Sequence, residues 1–395
     1  MNLLMISHKE MWADPDDPGR YVTVGGFPYH LRACAELFDS SCLIATLRSA
    51  KPISGVQPLS GRGLRRIIAL PEPAGKNTSR KIAMLYWLPL YLPVIWKSIR
   101  RADAVHALVP GDVGMIGLLL ALMQRKALFV RHCGTWGKPK TIADHFLLWL
   151  LERIAGGRNV VMATGGGAIS PSERNLHIKW IHSTTLTRDE LDQIPKKRAW
   201  KPGMPLHLVT VGRVTNEKNM IATIRALPDI LKHYSNTILH IVGDGPALGY
   251  LKSEAAVLKV SKNVKFHGNV SHDRVMEILH QGHLFLFPTL VKEGFPKAVL
   301  EALACGLPVI ATAVSVLPHL IAQRNGIVLD NPTPEALSDA VNRIISEPEQ
   351  FYAMVQSAQE TSREFTLEKW QSIIADRLKA AWGQPLRGKA KEMVS

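Results

Sequence analysis

The stretch from Glu293 to Thr312, E-G-F-P-K-A-V-L-E-A-L-A-C-G-L-P-V-I-A-T, constrains the fold of this chain more than any other. Its residue types predict a loop, a helix that begins at Pro296, a glycine and proline stop, and a buried strand. A short apolar strand after a helix stop is typical of parallel sheets. The unpaired N–H groups at the helix start can hold a phosphate, and the carboxylates of Glu293 and Glu301 can accept hydrogen bonds from hydroxyls. An anion together with hydroxyls indicates a sugar nucleotide.

The same stretch resembles the E-x7-E motif of retaining glycosyltransferases with the GT-B fold, here Glu293 and Glu301. Two glutamates at this spacing occur on many exposed helices, but the whole string resembles glycosyltransferase family 4, also called group 1. The resemblance implies an α/β protein with two Rossmann-like domains facing each other across a cleft. It also implies that a C-terminal helix crosses back to the first domain.

Composition predicts where the two domains meet. The segment 194–204 is charged and contains Pro and Gly, which is typical of a linker. Before it, a strand at Ala104–Leu108, a helix at Val113–Met123 and a strand at Ala127–Arg131 indicate a parallel sheet. We therefore expect an acceptor domain at 1–195, a donor domain at 196–364, and a returning helix with a basic tail at 365–395.

The second half contains a candidate phosphate clamp. Gly212-Arg213 follows a predicted strand, and Glu217-Lys218-Asn219 precedes a helix, so two cations lie five residues apart. This resembles the family's G-R-x-x-x-E-K motif, whose Arg and Lys bind the donor diphosphate; ordinary surface charge is the alternative. The turn at Gly243 resembles the family's G-D-G-P turn. The donor-binding residues that the resemblance implies in this half are Gly212, Arg213, Lys218, Gly243, Gly268, Val270, Glu293, Gly294, Phe295, Pro296, Lys297 and Glu301.

The first half offers fewer candidates. Gly25 and Gly26 precede a predicted helix, where glycine lets the backbone approach an anion closely. They resemble the family's N-terminal Gly-Gly loop, which faces the donor diphosphate and the acceptor, although a plain tight turn has the same composition. His132 follows a strand end and matches the active-site His that many members place near the donor sugar. A structural role for His132 remains the alternative.

The resemblance also implies roles in catalysis. Glu293 would support the sugar as positive charge develops, Arg213 and Lys218 would neutralise the departing diphosphate, and Glu301 would bind ribose hydroxyls. His132 completes the catalytic set. The sequence predicts no cofactor besides the nucleotide sugar, which is a cosubstrate, and no metal site. Asp14 and Asp16 spell a D-x-D, but they lie in a Pro-rich loop where Asp is common.

Charge indicates an anionic partner. The net charge is +15, and residues 1–200 hold 27 Lys and Arg against 15 Asp and Glu. Nucleic acid is the weakest candidate because no recognition motif accompanies this charge, and we expect no nucleic-acid partner. An anionic membrane surface is a candidate because cations flank the aromatic stretch Ile82–Trp96. That stretch is too short to span a bilayer, and we favour a helix packed on a sheet over one lying at a membrane interface.

The sequence thus predicts a retaining hexosyltransferase that moves a sugar from a nucleotide diphosphate, UDP or GDP, to a saccharide or lipid-linked acceptor. Four unpaired cysteines and the lack of a visible signal peptide lead us to expect a cytoplasmic protein, peripheral on the inner face of the membrane. Two alternatives remain open at this point. One is a catalytically silent protein that binds a nucleotide sugar, and the other is a different GT-B enzyme, an epimerase or a polymer synthase.

Overall fold

The computed structural model describes residues 1–17, 19–50, 56–75, 77–139, 141–167, 169–195, 200–321, 324–383 and 386–387. The chain divides into two compact α/β units. The first unit contains Met1–Thr164, Ile169–Thr185 and Leu367–Ser395, and the second contains Gly165–Ala168 and Leu186–Thr366. The main division thus lies at 185/186, whereas the sequence places it at 195/196. Residues 196–199 of the expected linker, and most of the expected basic tail, lie outside the described residues.

The first unit is built around a largely parallel sheet. Its strands run parallel in the order β5, β3, β1, β6, β7, β8, β9, and β2 and β4 extend it antiparallel beside the end of β1. The chain passes from β1 to one side of the sheet and later returns to β6 on the other, so the topological switch point lies between β1 and β6. The elements are β1 (Asn2–Ala13), β2 (Tyr21–Val24), α1 (Phe27–Ala35), β3 (Ser40–Leu47), β4 (Val56–Pro58), β5 (Leu64–Pro71), α2 (Asn77–Arg101), β6 (Ala104–Val109), α3 (Asp112–Met123), β7 (Ala127–His132), α4 (Ile142–Ile154), β8 (Asn159–Thr164) and β9 (Lys179–Ile181).

Helices α2, α3 and α4 cover the same face of this sheet. Ile95 of α2, Leu118 of α3 and Leu147 of α4 belong to one buried apolar cluster. The strands contribute Val105 and Val130 to this cluster, which alternate with residues that face the other side of the sheet. The three helices therefore form a single layer over the sheet.

Helix α2 includes the predicted aromatic stretch but is longer. It spans 25 residues and holds Pro89 and Pro93 in its interior. One face packs on the sheet as we favoured, because Trp87 is buried and its Nε1 donates to the carbonyl of Pro71 at 2.7 Å. Within the segment Ser79–Arg101, a run of 18 residues has a mean hydropathy of 1.4, so by length and composition alone this helix could cross a membrane. The predicted stretch is shorter than this helix, which extends beyond the apolar residues at both ends.

The second unit has a sheet whose strands run parallel in the order β12, β11, β10, β13, β14, β15. The chain leaves β10 toward β11 and returns on the other side at β13, so the switch point lies between β10 and β13. The elements are α5 (Arg188–Gln193), β10 (His207–Val211), α6 (Met220–His233), β11 (Ile238–Val242), α7 (Leu248–Val257), β12 (Val264–Gly268), α8 (His272–Gln281), β13 (Leu284–Phe287), α9 (Lys297–Ala304), β14 (Val309–Thr312), α10 (Leu317–Ile321), β15 (Gly326–Leu329), α11 (Pro334–Ile345) and α12 (Pro348–Arg363).

Helix α9 and strand β14 form from the stretch that constrained the fold. The helix begins at Lys297, one residue later than predicted, because Pro296 is extended with ψ at 93°. It ends as predicted: Gly306 has a φ of 71° and donates to the carbonyl of Leu303, and Leu307 donates to the carbonyl of Ala302. This paired arrangement satisfies carbonyls that the helix end leaves free. The buried strand β14 then pairs with β13 on one side and with β15 on the other.

The last helix, α13 (Leu367–Trp382), belongs to the first unit. Trp370 is fully buried, and its ring lies 4.7 Å from the ring of His30 in α1. Trp382 donates from Nε1 to the carbonyl of Arg158 at 3.0 Å, and Gln371 donates to the carbonyl of Ala33 at 2.8 Å. The predicted return of the C-terminal helix is therefore confirmed.

Candidate active site

Two loops at the switch point of the second unit are joined through their backbones. The loop after β10 contains Glu217 and Lys218 in a short 3₁₀ turn, and the loop after β13 contains Thr289 and Leu290. The N–H of Leu290 donates to the carbonyl of Glu217 at 2.9 Å, and the hydroxyl of Thr289 lies 3.5 Å from the same oxygen. Ligands of such sheets bind outside the carboxyl ends of the strands at the switch point, so the joined loops lie where a nucleotide is expected.

The two loops bring Lys218 and Glu293 together. The ammonium group of Lys218 forms an ion pair with Oε1 of Glu293, and the side chains are 14% and 21% exposed. The hydroxyl of Thr289 lies 3.4 Å from the same carboxylate oxygen, and the ring of Phe287 lies 5.3 Å below the ammonium nitrogen. Residues 75 positions apart in sequence thus share one partly buried charged pair.

Arg213 lies beside a cavity at the carboxyl ends of β10, β11 and β12. The cavity has a volume of about 340 Å³. Arg213 is exposed, and it forms no ion pair with any residue that the structure describes. Its guanidinium group is therefore available to an anion in the cavity. Five of the predicted donor-binding residues line the cavity: Gly212, Arg213, Gly243, Gly268 and Val270. The rest of the lining is Val211, Val242, Asp244, Asn269 and Val275.

Glycine is required at one wall of this cavity. Gly243 donates to the carbonyl of Gly268 at 2.8 Å, with a φ of 130° at Gly243 and 66° at Gly268. A Cβ added at Gly243 would lie 1.9 Å from the carbonyl oxygen of Gly212, closer than any contact can be. The predicted glycines thus let the ends of three strands approach one another. Without side chains there, backbone groups of these strand ends can contact a ligand in the cavity.

Glu301 lies in α9 and is largely buried. Burial raises the pKa of its carboxyl above the usual value, and the charges of His272 and Lys297 oppose this shift while Glu190 adds to it. Nδ1 of His272 lies 3.8 Å from Oε1 of Glu301. A carboxylate in such surroundings gains from hydrogen-bond donors, because they compensate for the water that it has lost.

The remaining residues of the predicted loop take different roles. Phe295 is buried in an apolar cluster, and its ring lies 5.6 Å from that of Phe365. Pro296 is also buried, while Gly294 and Lys297 are partly exposed near the start of α9. Because the side chain of Phe295 packs in this cluster, Phe295 could contact a donor only through its backbone.

Gly25, Gly26 and His132 lie in the first unit. Gly25 has a φ of 75°, and Gly26 directly precedes α1. His132 ends β7 and is buried; its Nδ1 lies 3.2 Å from the carbonyl of Gly134. Since a carbonyl only accepts, Nδ1 carries the proton. Burial lowers the pKa of His132, so the ring is neutral and its Nε2 can accept a hydrogen bond.

Two side chains of the site were missed by sequence reasoning. Thr289 and His272 belong to no motif, and their proximity to the two glutamates depends on how the loops fold. Within the described ranges, no group of three or more His, Cys, Asp or Glu is arranged to hold a metal ion. Asp14 of the D-x-D accepts a hydrogen bond from the N–H of Asp16 in a local turn.

The fold is similar to that of glycosyltransferases with the GT-B architecture. A structure of the Anabaena protein HepE in complex with UDP and glucose superposes with a TM-score of 0.68 at 15% identity, covering 96% of this chain and 100% of that one. A glycosyltransferase from Rickettsia africae gives 0.65 at 16% identity, covering 96% and 98%. At these identities the likeness shows the fold.

Residues 192–361 match the model of the family described as glycosyl transferases group 1. A GDP-mannose-dependent alpha-(1-6)-phosphatidylinositol dimannoside mannosyltransferase of Mycobacterium tuberculosis is 28% identical over 313 residues, 70% of this chain and 78% of that protein. A subunit of the phosphatidylinositol N-acetylglucosaminyltransferase of Arabidopsis thaliana is 30% identical over 139 residues, 35% of this chain. The chain spans only 31% of the length of that plant relative.

Proposed function

We propose that this protein is a retaining hexosyltransferase that moves a sugar from a nucleotide diphosphate to a saccharide or lipid-linked acceptor. The observation that carries the proposal is the meeting of Lys218 and Glu293 at the switch point, at the same end of the sheet as a cavity lined by Arg213. The names of the two relatives favour a lipid acceptor in cell-surface glycolipid or polysaccharide synthesis, and the mycobacterial name favours GDP-mannose as the first donor to test.

The residues divide the work according to their charge. Arg213 and Lys218 would neutralise the diphosphate as it leaves, together with the N–H groups at the start of α9. Glu293 would then face the sugar, where its carboxylate supports positive charge at the anomeric carbon. Glu301 would accept hydrogen bonds from the ribose hydroxyls, with His272 holding its carboxylate in place. Neutral His132 would accept a hydrogen bond from a hydroxyl of the sugar.

Two further parts of the proposal concern conditions. Because protein cations already face the leaving group, we propose that transfer needs no metal ion, and activity that is lost with EDTA and restored by a divalent cation would contradict this. We also propose that the protein works peripherally on the inner face of the membrane, where a lipid-linked acceptor would be found.

The experiment that tests the function has two steps. First, the melting temperature is measured with GDP-mannose, UDP-glucose, UDP-N-acetylglucosamine and ADP-glucose, since a ligand that binds the native state raises it. Second, the donor that stabilises most is incubated with a phosphatidylinositol acceptor, and the anomeric configuration of the product is read by NMR.

Glu293→Gln provides the matched control, because it keeps the shape of the side chain and removes its charge. We expect this variant to bind the donor and to lose turnover. Donor stabilisation without any transfer or donor hydrolysis, in wild type and variant alike, would indicate a silent binding protein instead. An inverted product would refute the retaining mechanism.

A further inference from the structure

The outer face of α2 exposes large apolar side chains along its length. Leu85 is 72% exposed and Tyr86 is 79% exposed, and Ile82, Leu90 and Val94 also face outward. These side chains lie opposite the face that buries Trp87, Ile95 and Ile99 against the sheet. Single exposed apolar residues are ordinary on a protein surface, but a row along one helix marks an interaction site.

The neighbouring helices of the same layer continue this pattern. Met123 of α3 is exposed, and Ile142 at the start of α4 is 90% exposed. Phe146 and Trp149 of α4 are exposed and their rings lie 5.7 Å apart. We call these outward-facing side chains of α2, α3 and α4 the apolar outer face.

Exposed cations lie near both ends of the α2 part of the apolar outer face. Helix α2 contains no Asp or Glu, and its exposed cations Lys81, Lys97, Arg100 and Arg101 form no ion pair within the described parts of the chain. Its remaining cation, Arg80, forms ion pairs with Glu72 and Asp112. A surface that combines aromatic and aliphatic side chains with free cations matches a bilayer of anionic lipid.

We propose that the apolar outer face docks the protein on an anionic phospholipid bilayer, with α2 lying in the plane of the headgroups. This inference rests on the proposed function for the lipid acceptor that docking would bring within reach. A second copy of the chain fits this surface less well, because α2 offers cations to a partner and no carboxylate.

An in-plane orientation follows from the buried side of α2. Although the helix is long and apolar enough to cross a membrane, crossing would pull Trp87, Ile95 and Ile99 out of the core of the sheet. It would also break the hydrogen bond from Trp87 to Pro71. A helix that keeps one face on its own sheet can offer only the other face to lipid.

Sedimentation of the full chain with vesicles tests the proposal, and no substrate is added. Vesicles of phosphatidylcholine alone are compared with vesicles that also contain phosphatidylglycerol, at low and at physiological salt. We expect binding to the mixed vesicles, weakening as salt rises. Replacing Lys97, Arg100 and Arg101 by Gln should weaken binding about fivefold for each cation lost.

Two paired variants test the apolar part. Leu85→Glu with Leu90→Glu, and Ile142→Glu with Phe146→Glu, should each weaken vesicle binding at least about tenfold. The matched control is Val257→Glu with Tyr352→Glu, which places two carboxylates at exposed apolar positions of the second unit and should change nothing. Circular dichroism and the melting temperature check that each variant is folded.

The results separate docking on lipid from self-association of the chain. Wild-type binding by the folded α2 and α4 variants would overturn the proposal. Loss of a dimer in the same variants, seen by analytical ultracentrifugation without lipid, would show that the face joins two copies of the chain. Since vesicle binding needs neither donor nor acceptor, a failure of the proposed enzymatic function would leave this measurement unaffected.

Discussion

The loops after β10 and β13 and the helical layer of α2 to α4 present their chemistry in different ways. In the loops, a backbone hydrogen bond joins the two segments that carry Lys218 and Glu293, and the two side chains form an ion pair. In the helical layer, side chains of the same apolar type are buried on one side and exposed on the other. The comparison shows that residues of a candidate ligand site can be predicted from a sequence motif. A candidate docking face can be identified only when the burial of each side chain is known.

The largest expected effect concerns the two faces of α2. Trp87→Ala should lower the free energy of unfolding by about 3–5 kcal/mol, because a buried ring and its hydrogen bond are lost. Leu85→Ala, two residues earlier and exposed, should change it by less than about 0.5 kcal/mol. Urea unfolding of the two variants measures both values. Equal losses would mean that the faces of α2 do not differ as described.

The clamp comes next. Arg213→Ala and Lys218→Ala should each lower kcat/KM by about 10²–10³-fold, as expected for a cation that faces developing negative charge. Their effects on stability should differ, and this sharpens the contrast within the loops. Arg213 is exposed and unpaired among the described residues, so the melting temperature of its variant should stay unchanged.

Lys218→Ala has a second consequence, because it leaves the carboxylate of Glu293 partly buried without its cation. We expect a loss of about 1–2 kcal/mol in the free energy of unfolding. Differential scanning calorimetry without nucleotide distinguishes the two variants. If Arg213→Ala alone destabilises the fold, the cation serves the structure and the clamp assignment fails.

Much of the second unit could be predicted from sequence because its loops need particular residue types. Only glycine fits at Gly243, where a Cβ would overlap the carbonyl of Gly212, so the motif and the geometry coincide. The end of helix α9 at Gly306 could also be predicted, because the positive φ of this residue favours glycine. Thr289 could not be found, because its contact with Glu293 depends on how a turn without a motif folds.

The first unit was less readable. The strand and helix rhythm predicted its parallel sheet, but the apolar run at 82–96 gave no sign of where α2 begins and ends. Two prolines lie in its interior, yet the helix continues through both. Packing on the sheet overrides local propensity there, as tertiary contacts often do. The division of the chain at 185/186 was likewise set by contacts that composition does not reveal.

The two glutamates should separate in steady-state kinetics. Glu301→Ala should raise the donor KM by about 10- to 150-fold and spare kcat, since ribose contacts are equally good in ground and transition states. Glu293→Gln should mainly lower kcat. A kcat effect of Glu301→Ala, or an unchanged kcat in Glu293→Gln, would contradict these roles.

The smallest expected effect is a pH dependence that comes from Glu301. Its pKa is raised in the folded chain by burial, so between the ordinary value of 4.5 and the raised value the folded state binds more protons than the unfolded state. Stability from this group therefore falls as the pH rises through that window, by at most about 1.4 kcal/mol per pH unit. Urea unfolding at a series of pH values should show this fall in wild type and a flatter curve in Glu301→Gln. Parallel curves would refute the assignment.

The ion pair between Lys218 and Glu293 also bears on product inhibition. A diphosphate that engages Lys218 takes it from a partner already in place, so binding exchanges one anion for another and gains less than a free lysine would give. In the proposed reaction, Glu293 would compete with the nucleoside diphosphate for the same ammonium group after transfer, and this competition would speed departure of the product. We expect the nucleoside diphosphate to bind Glu293→Gln more tightly than wild type in isothermal titration calorimetry.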